Sequence, residues 1–424
     1  MIIHQPEIAN KDGQAILFNR FEWDREPANF PRHIWFRLPE QYGKYFSTNN
    51  DAFLVAGLLA GMYYKENVEV RGAVSPRLAY QLEEYKFLLK FRFPKLLEEV
   101  EIKYDRLESV PGVHRGVGTT FSGGVDSLFT LLKNLPQNQP NPDYQVTHGL
   151  FVHGFDLSRS QIKYYNYLLE EFQAQVSRIG IELIPLSTNL VSVTHQRLSR
   201  LPFTGSLVAT TALSLSGLFH RFYSPSNYTY QHLLHQSTTD DPQMGRLLST
   251  DTLEIIIHGA SFPRVDKVRE IADWDVAQKV LSVCWSFKAQ FEPGNCSRCE
   301  KCMRTMIPLY ALGKLDRFTT FKKPFKSNRD VLLWARKYSP KGDYEPDILK
   351  FVKKNKPGLL PWVITAAIFG TIRWLFTRFV PKSLAKRLRR FGYYPQSPGA
   401  PDAYEVPEVT SFLQGQSHHD HPSA

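Results

Sequence analysis

Gly116-Val-Gly-Thr-Thr-Phe-Ser-Gly-Gly-Val-Asp-Ser127 decides how this chain of 424 residues is read. Residues 116–121 form a strand-like run, and the amphipathic pattern over 125–135 is helical. Between them, Gly123 and Gly124 allow a tight turn that brings backbone N–H groups close to an anion. The helix starting at Val125 adds the positive end of its dipole. Ser122 and Ser127 supply hydroxyl donors. Asp126 would repel phosphate unless a bridging Mg²⁺ joined them, so it is a candidate metal ligand. No lysine follows before Lys133, so the Gly-Lys-Ser/Thr start of a P-loop is missing. The spacing suits holding pyrophosphate while an α-phosphate reacts, rather than gripping a γ-phosphate. The plain alternative is a glycine turn capped by serines.

Outward from this stretch the pattern alternates. Apolar runs at 117–121, 146–152, 181–185 and 253–258 are separated by helical patterns near 125–135, 158–178 and 207–222. Alternation at this spacing predicts an α/β fold with a parallel sheet covered by helices on both faces. Ligands of such sheets sit at the carboxyl ends of the strands, where Ser122, Asp156 and the Ser187-Thr188 turn would lie.

All four cysteines fall late, as Cys284-x11-Cys296-x2-Cys299-x2-Cys302. Four soft ligands close a tetrahedral Zn²⁺ site with no open position, so the metal would be structural. Pro293-Gly-Asn295 would make the turn, and Leu281-Ser-Val283 reads as a strand leading to Cys284. Four buried thiols or an iron–sulfur centre are the alternatives. Clustered thiols also suit a reducing compartment better than a disulfide framework. The start, Met1-Ile-Ile-His-Gln-Pro, lacks the basic end and apolar core of a secretory signal, which suggests a cytoplasmic protein.

Ser122-Gly-Gly-Val-Asp-Ser127 resembles the PP-loop of N-type ATP pyrophosphatases, a superfamily that includes GMP, NAD and asparagine synthetases and tRNA-modifying ligases. With a late Cys…Cys-x2-Cys-x2-Cys site, residues 116–313 are most similar to 7-cyano-7-deazaguanine synthase. The resemblance implies an adenine-nucleotide α-hydrolase-like (Rossmann-like) sheet. It also implies an ATP-dependent ligase that forms AMP and pyrophosphate. Such an enzyme adenylylates a carboxylate or amide oxygen of a small substrate, and a nitrogen nucleophile then displaces AMP. ATP and Mg²⁺ would bind through Ser122, Gly123, Gly124, Val125, Asp126 and Ser127. The N-terminal segment, the connection from Tyr223 to Thr252 and the C-terminal tail depart from that family, so the acceptor is expected to differ. If metal holds every thiol, none is left for persulfide chemistry. No cysteine follows Met1, so ammonia or an amine would come from solution or a partner.

Further polar candidates lie around these motifs. Asp156 could reach ribose, Mg²⁺ or substrate, or cap the helix at Ser158. Arg264 and Lys267, one helical turn apart, could neutralise a triphosphate or an adenylate transition state, or could form a solvated helix face. Arg304 could bind a substrate anion or pack its helix. Ser237, Asp241 and Ser249-Thr250-Asp251 are candidates for the acceptor pocket. His232 and His235 read as surface or packing residues.

Residues 1–115 suggest a small α+β module. Its strand-like runs lie at 15–18, 33–37 and 68–71, one helix is capped by Asp51, and another starts at Ser75-Pro76. The net charge of +11 is concentrated in residues 315–395, which carry 19 Lys/Arg against 5 Asp/Glu. This basic helical extension contains an apolar stretch, 358–372. Basic flanks and Trp362, Trp374 and nearby phenylalanines suit a helix lying on anionic lipid through 356–395. Packing on its own domain, spanning a bilayer, or gripping tRNA are the other readings. Residues 396–424 have a disorder-prone composition. Two rival functions remain: a tRNA-modifying PP-loop enzyme, and a non-catalytic, membrane-associated nucleotide-binding protein.

Overall fold

The computed structural model describes residues 1–27, 30–109, 115–194, 201–284, 293–340 and 342–379. Among the described residues eleven strands form one mixed sheet: β1 (Ile2–Ile3), β2 (Glu7–Lys11), β3 (Gln14–Glu22), β4 (His33–Pro39), β5 (Val68–Val74), β6 (Ile102–Leu107), β7 (Gly116–Thr120), β8 (His148–His153), β9 (Glu182–Thr188), β10 (Phe219–Pro225) and β11 (Glu254–His258). Their spatial order is β11-β10-β7-β8-β9-β4-β3-β1-β5-β6, with β2 alongside β3. The five strands from β11 to β9 are all parallel. From β7 the chain first winds outward through β8 and β9, then crosses back to β10 and β11 on the other side. The winding therefore reverses at β7, the strand that delivers the glycine loop.

The strands of residues 1–115 extend this sheet. β4 pairs antiparallel with β9 at Phe36↔Thr188 and Arg37↔Ser187. Side chains alternate across the pleat, so each strand feeds both faces. Leu150 and Val152 of β8 join a cluster with Phe36, Phe53 and Leu207, while Phe151 between them joins a second cluster on the opposite face. The first cluster runs without a break from the N-terminal residues into the central strands. Helix Asp51–Tyr64 forms within it, nearly all its residues buried. Asp51 is its first residue, not its cap, and its carboxylate accepts from the Ser75 N–H at 2.8 Å and hydroxyl at 2.5 Å.

Two expectations need correction. The helix expected over 207–222 is Thr204–Leu213, and β10 then follows. Gly217 lies in the break, where a Cβ would meet backbone atoms of Tyr45 within 3.3 Å. The aromatic-rich Phe219-His-Arg-Phe-Tyr223 then takes the pleated form that such residues favour. Leu281-Ser-Val283, expected as a strand, forms no ladder and follows helix Asp275–Val280 as irregular chain.

Beyond residue 315 the chain returns to the second face. Ile348, Phe351, Leu359, Val363 and Ala366 are buried in its cluster. Helix Leu360–Phe379 lies on the 3₁₀ segment Asn328–Arg336. The Arg373 guanidinium folds back to the carbonyls of Ala335 and Tyr338 at 3.2 and 3.3 Å. Among the described residues one stretch, Pro357–Phe376, is long and apolar enough to cross a membrane by length and composition. The basic run at 381–390 and the tail 396–424 lie outside the described residues.

Candidate functional site

The glycine loop closes on itself. Gly123 adopts φ +68°, and a Cβ there would meet the Phe172 ring at 2.6 Å and the Val280 carbonyl at 2.9 Å. Only glycine fits both the left-handed backbone and the contact. Gly124 is the N-cap of helix Val125–Lys133. Its N–H donates to Ser122 Oγ at 3.3 Å, and the Ser127 hydroxyl donates to the Gly124 carbonyl at 3.1 Å. Ser282 N–H donates to the Gly123 carbonyl at 2.8 Å, clamping the loop from outside. Val125 is buried, whereas Ser122 is exposed at the carboxyl edge of the sheet.

Asp126 points inward and meets both basic residues of helix Arg264–Ile271. Arg264 Nη1 donates to one carboxylate oxygen, and Lys267 Nζ donates to the other at 3.0 Å. Lys267 also donates to the Ser226 carbonyl, just past β10, at 2.6 Å. Burial alone would raise the Asp126 pKa, but Arg264 and Lys267 outweigh it and hold the carboxyl well below its ordinary range. Asp126 is thus a buried counter-ion. Both carboxylate oxygens, expected to face a Mg²⁺ ion, are directed at these two cations. Arg264 and Lys267, read above as either phosphate ligands or a solvated face, are buried and converge on the loop.

More charge gathers from outside the motif. Helix Glu300–Ala311 brings in Lys301 and Arg304. The Arg304 guanidinium lies 4.2 Å from the centre of the Tyr344 ring. Burial, ahead of the neighbouring Arg264, depresses its pKa. Lys301 is pushed down to about 8, first by burial, with Asp156 opposing and Arg304 and Arg264 reinforcing. Opposite them, burial lifts Asp240 to about 6 despite its bonds from Asn227. The Tyr344 hydroxyl donates to the Asn227 carbonyl at 3.2 Å. The turn Ser226-Asn227-Tyr228 therefore ties Lys267, Asp240 and Tyr344 together at the end of β10.

The four thiols lie within 4.8 Å of one another and can hold a metal ion such as zinc. Sγ separations of 3.4 Å (Cys299–Cys302), 3.8 Å (Cys284–Cys299) and 3.9 Å (Cys296–Cys302) bracket the edge of about 3.8 Å that Zn–S bonds of about 2.3 Å would give. N–H groups of Cys296, Cys299 and Cys302 donate to the sulfurs of Cys284, Cys296 and Cys299 respectively. Buried Asn295 locks the knuckle. Its amide oxygen accepts from Val283 and Cys284, and its nitrogen donates to the Leu281 carbonyl. Cys299 is also the N-cap of the helix that carries Lys301 and Arg304.

No family model, curated protein or solved structure shows a significant similarity to the chain.

The remaining candidates fall into place as follows. Asp156 is exposed just past β8 and interacts with Lys301. Ser237 and His235 are exposed. Asp241 caps helix Pro242–Arg246 and pairs with Arg92 at 2.5 Å. Ser249 and Thr250 hydroxyls accept N–H bonds of their own turn, and Asp251 accepts from the Arg77 N–H. His232 bridges Thr229 and the Asp343 carbonyl, as a packing residue would. Sequence reading missed Asp240, Lys301, Tyr344 and Asn227. Lys301 had one available signal, its place beside Cys302, whereas the others had none.

Proposed function

We propose that the chain is an ATP-dependent ligase of the PP-loop type, working on an adenine-nucleotide α-hydrolase-like sheet. The single observation that carries this reading is the meeting of the glycine loop, through Asp126, with buried Arg264 and Lys267, at the strand where the winding reverses. In open α/β sheets that crevice is where nucleotides bind. The pyrophosphate end would lie on the N–H groups of the loop and the start of helix Val125–Lys133. Arg264 and Lys267, fixed by Asp126, would offset charge as the α-phosphorus is attacked. A substrate carboxylate or amide oxygen would form the new P–O bond while pyrophosphate leaves. An amine nitrogen would then attack the activated carbon, and AMP would leave with the bonding pair as the nitrogen loses its proton. Mg²⁺, when bound, would screen the phosphate oxygens. Zinc on Cys284, Cys296, Cys299 and Cys302 would be structural.

Incubation of the protein with ATP and a panel of small carboxylates and amines tests this directly. AMP and pyrophosphate should form, and ADP as the sole product would refute it. Among rivals, tRNA modification predicts product only when tRNA is added, and a non-catalytic nucleotide-binding protein predicts no turnover.

A second reading concerns the C-terminal helix. Ile364, Ile368, Phe369, Ile372, Leu375 and Phe376 are exposed along it. With the excess of basic residues in 315–395, that favours contact with an anionic lipid surface over contact with RNA.

A further inference from the structure

We infer that Arg304 and Lys301 form an anion subsite of their own beside the glycine loop, built to take a phosphate group of the nucleotide. The inference rests on the loop's reading as a pyrophosphate holder but draws on different residues. The loop, Asp126, Arg264 and Lys267 form a self-consistent unit in which the carboxylate compensates two cations. Arg304 lies outside that balance. Its ion-pair partner is Glu300, one turn back at 3.2 Å and about half exposed, while the Arg304 side chain is 11% exposed. The Arg304 Nε is buried with no hydrogen-bond partner, and so is the Arg264 Nε.

The Arg304 and Arg264 guanidiniums are close enough to repel one another, and the Asp126 carboxylate is already shared between Arg264 and Lys267, so a further anion would relieve the repulsion. A helix that needed only packing would be better served by a methionine or leucine at position 304. The stacking on Tyr344 fits a recognition role instead, since it holds the planar fork in one orientation without using any of its N–H donors. A planar, fixed fork of donors matches a tetrahedral or planar oxyanion. Tyr344 is itself held by Asn227, and Cys299 caps the helix, so the fork is set from both sides.

Calorimetric titration of the full-length, metal-loaded protein tests the subsite, with ATP, pyrophosphate, AMP and inorganic phosphate as probes. R304Q should bind ATP roughly ten- to a hundredfold more weakly, as expected for loss of a charge-assisted hydrogen bond. K301Q should lose less, and R304K should recover part of the affinity. Loss of AMP binding would place the subsite on the α-phosphate, and loss of pyrophosphate binding on the outer pair. Unchanged ATP affinity in R304Q would overturn the subsite and leave the nucleotide reading intact. So would an R304K that binds no better than R304Q, which marks a packing role. Wild-type protein that binds inorganic phosphate through Arg304 but ignores ATP would keep the subsite and end the nucleotide reading. Binding of none of the four probes would overturn both.

Discussion

Replacing Asp126 with Asn separates a counter-ion from a metal ligand. The two side chains have nearly the same shape, so the substitution removes charge and little else. Asp126, Arg264 and Lys267 are 11%, 7% and 2% exposed, so solvent screens their attraction only weakly. Removing one partner of a buried ion pair leaves an uncompensated charge and costs about 3–5 kcal/mol. Here one carboxylate serves two cations, which places the expected loss toward the upper end, against a total stability of about 5–15 kcal/mol for typical domains. Asp126 has a depressed folded-state pKa, so its contribution is complete above its ordinary value near 3.8 and is lost as pH falls through the lower folded value. The comparison therefore belongs at pH 7. The assay is urea unfolding followed by tryptophan fluorescence, with and without pyrophosphate. A bound anion replaces the missing negative charge, so D126N should gain more from pyrophosphate than wild type does. A hundredfold excess over Kd adds about 2.7 kcal/mol, enough to recover over half of the loss. D126N as stable as wild type would refute the reasoning. Pyrophosphate that protects wild type better than D126N would also refute it, and would return Asp126 to the metal.

Two further outcomes are expected. Gly123→Ala should destabilise the protein by at least 1–3 kcal/mol, because it adds left-handed strain to a contact with Phe172 and Val280, and a thermal melt within 1 °C of wild type would contradict this. Removing the metal from Cys284, Cys296, Cys299 and Cys302 with a chelator should weaken pyrophosphate binding, since the knuckle caps the Lys301–Arg304 helix and the adjoining Ser282 clamps Gly123; full binding by metal-free protein would sever that link.

The alternation of apolar runs and helical patterns was enough to place β7, β8, β9 and β11, because burial on both sheet faces leaves a local signature of short apolar strands. β10 was hidden by a neighbouring helix of similar hydrophobicity, and Gly217 with the aromatics after it was the only break. The loop and the four cysteines were legible for a related reason, since close backbone approach to an anion and tetrahedral thiol ligation each need particular residues at fixed spacing.

Charge bookkeeping was not legible. Asp126 lies 138 residues from Arg264 and 141 from Lys267, and nothing local reveals that their side chains meet. Sequence by itself determined the alternating α/β pattern, the glycine turn and the thiol cluster, all set by backbone geometry and short-range spacing. Only the tertiary structure decided that strands from residues 1–115 continue the same sheet, that Asp126 serves two cations, and that Arg304 lies over the Tyr344 ring. Those facts depend on which distant surfaces share a low-dielectric interior, where one charge is felt strongly by the next.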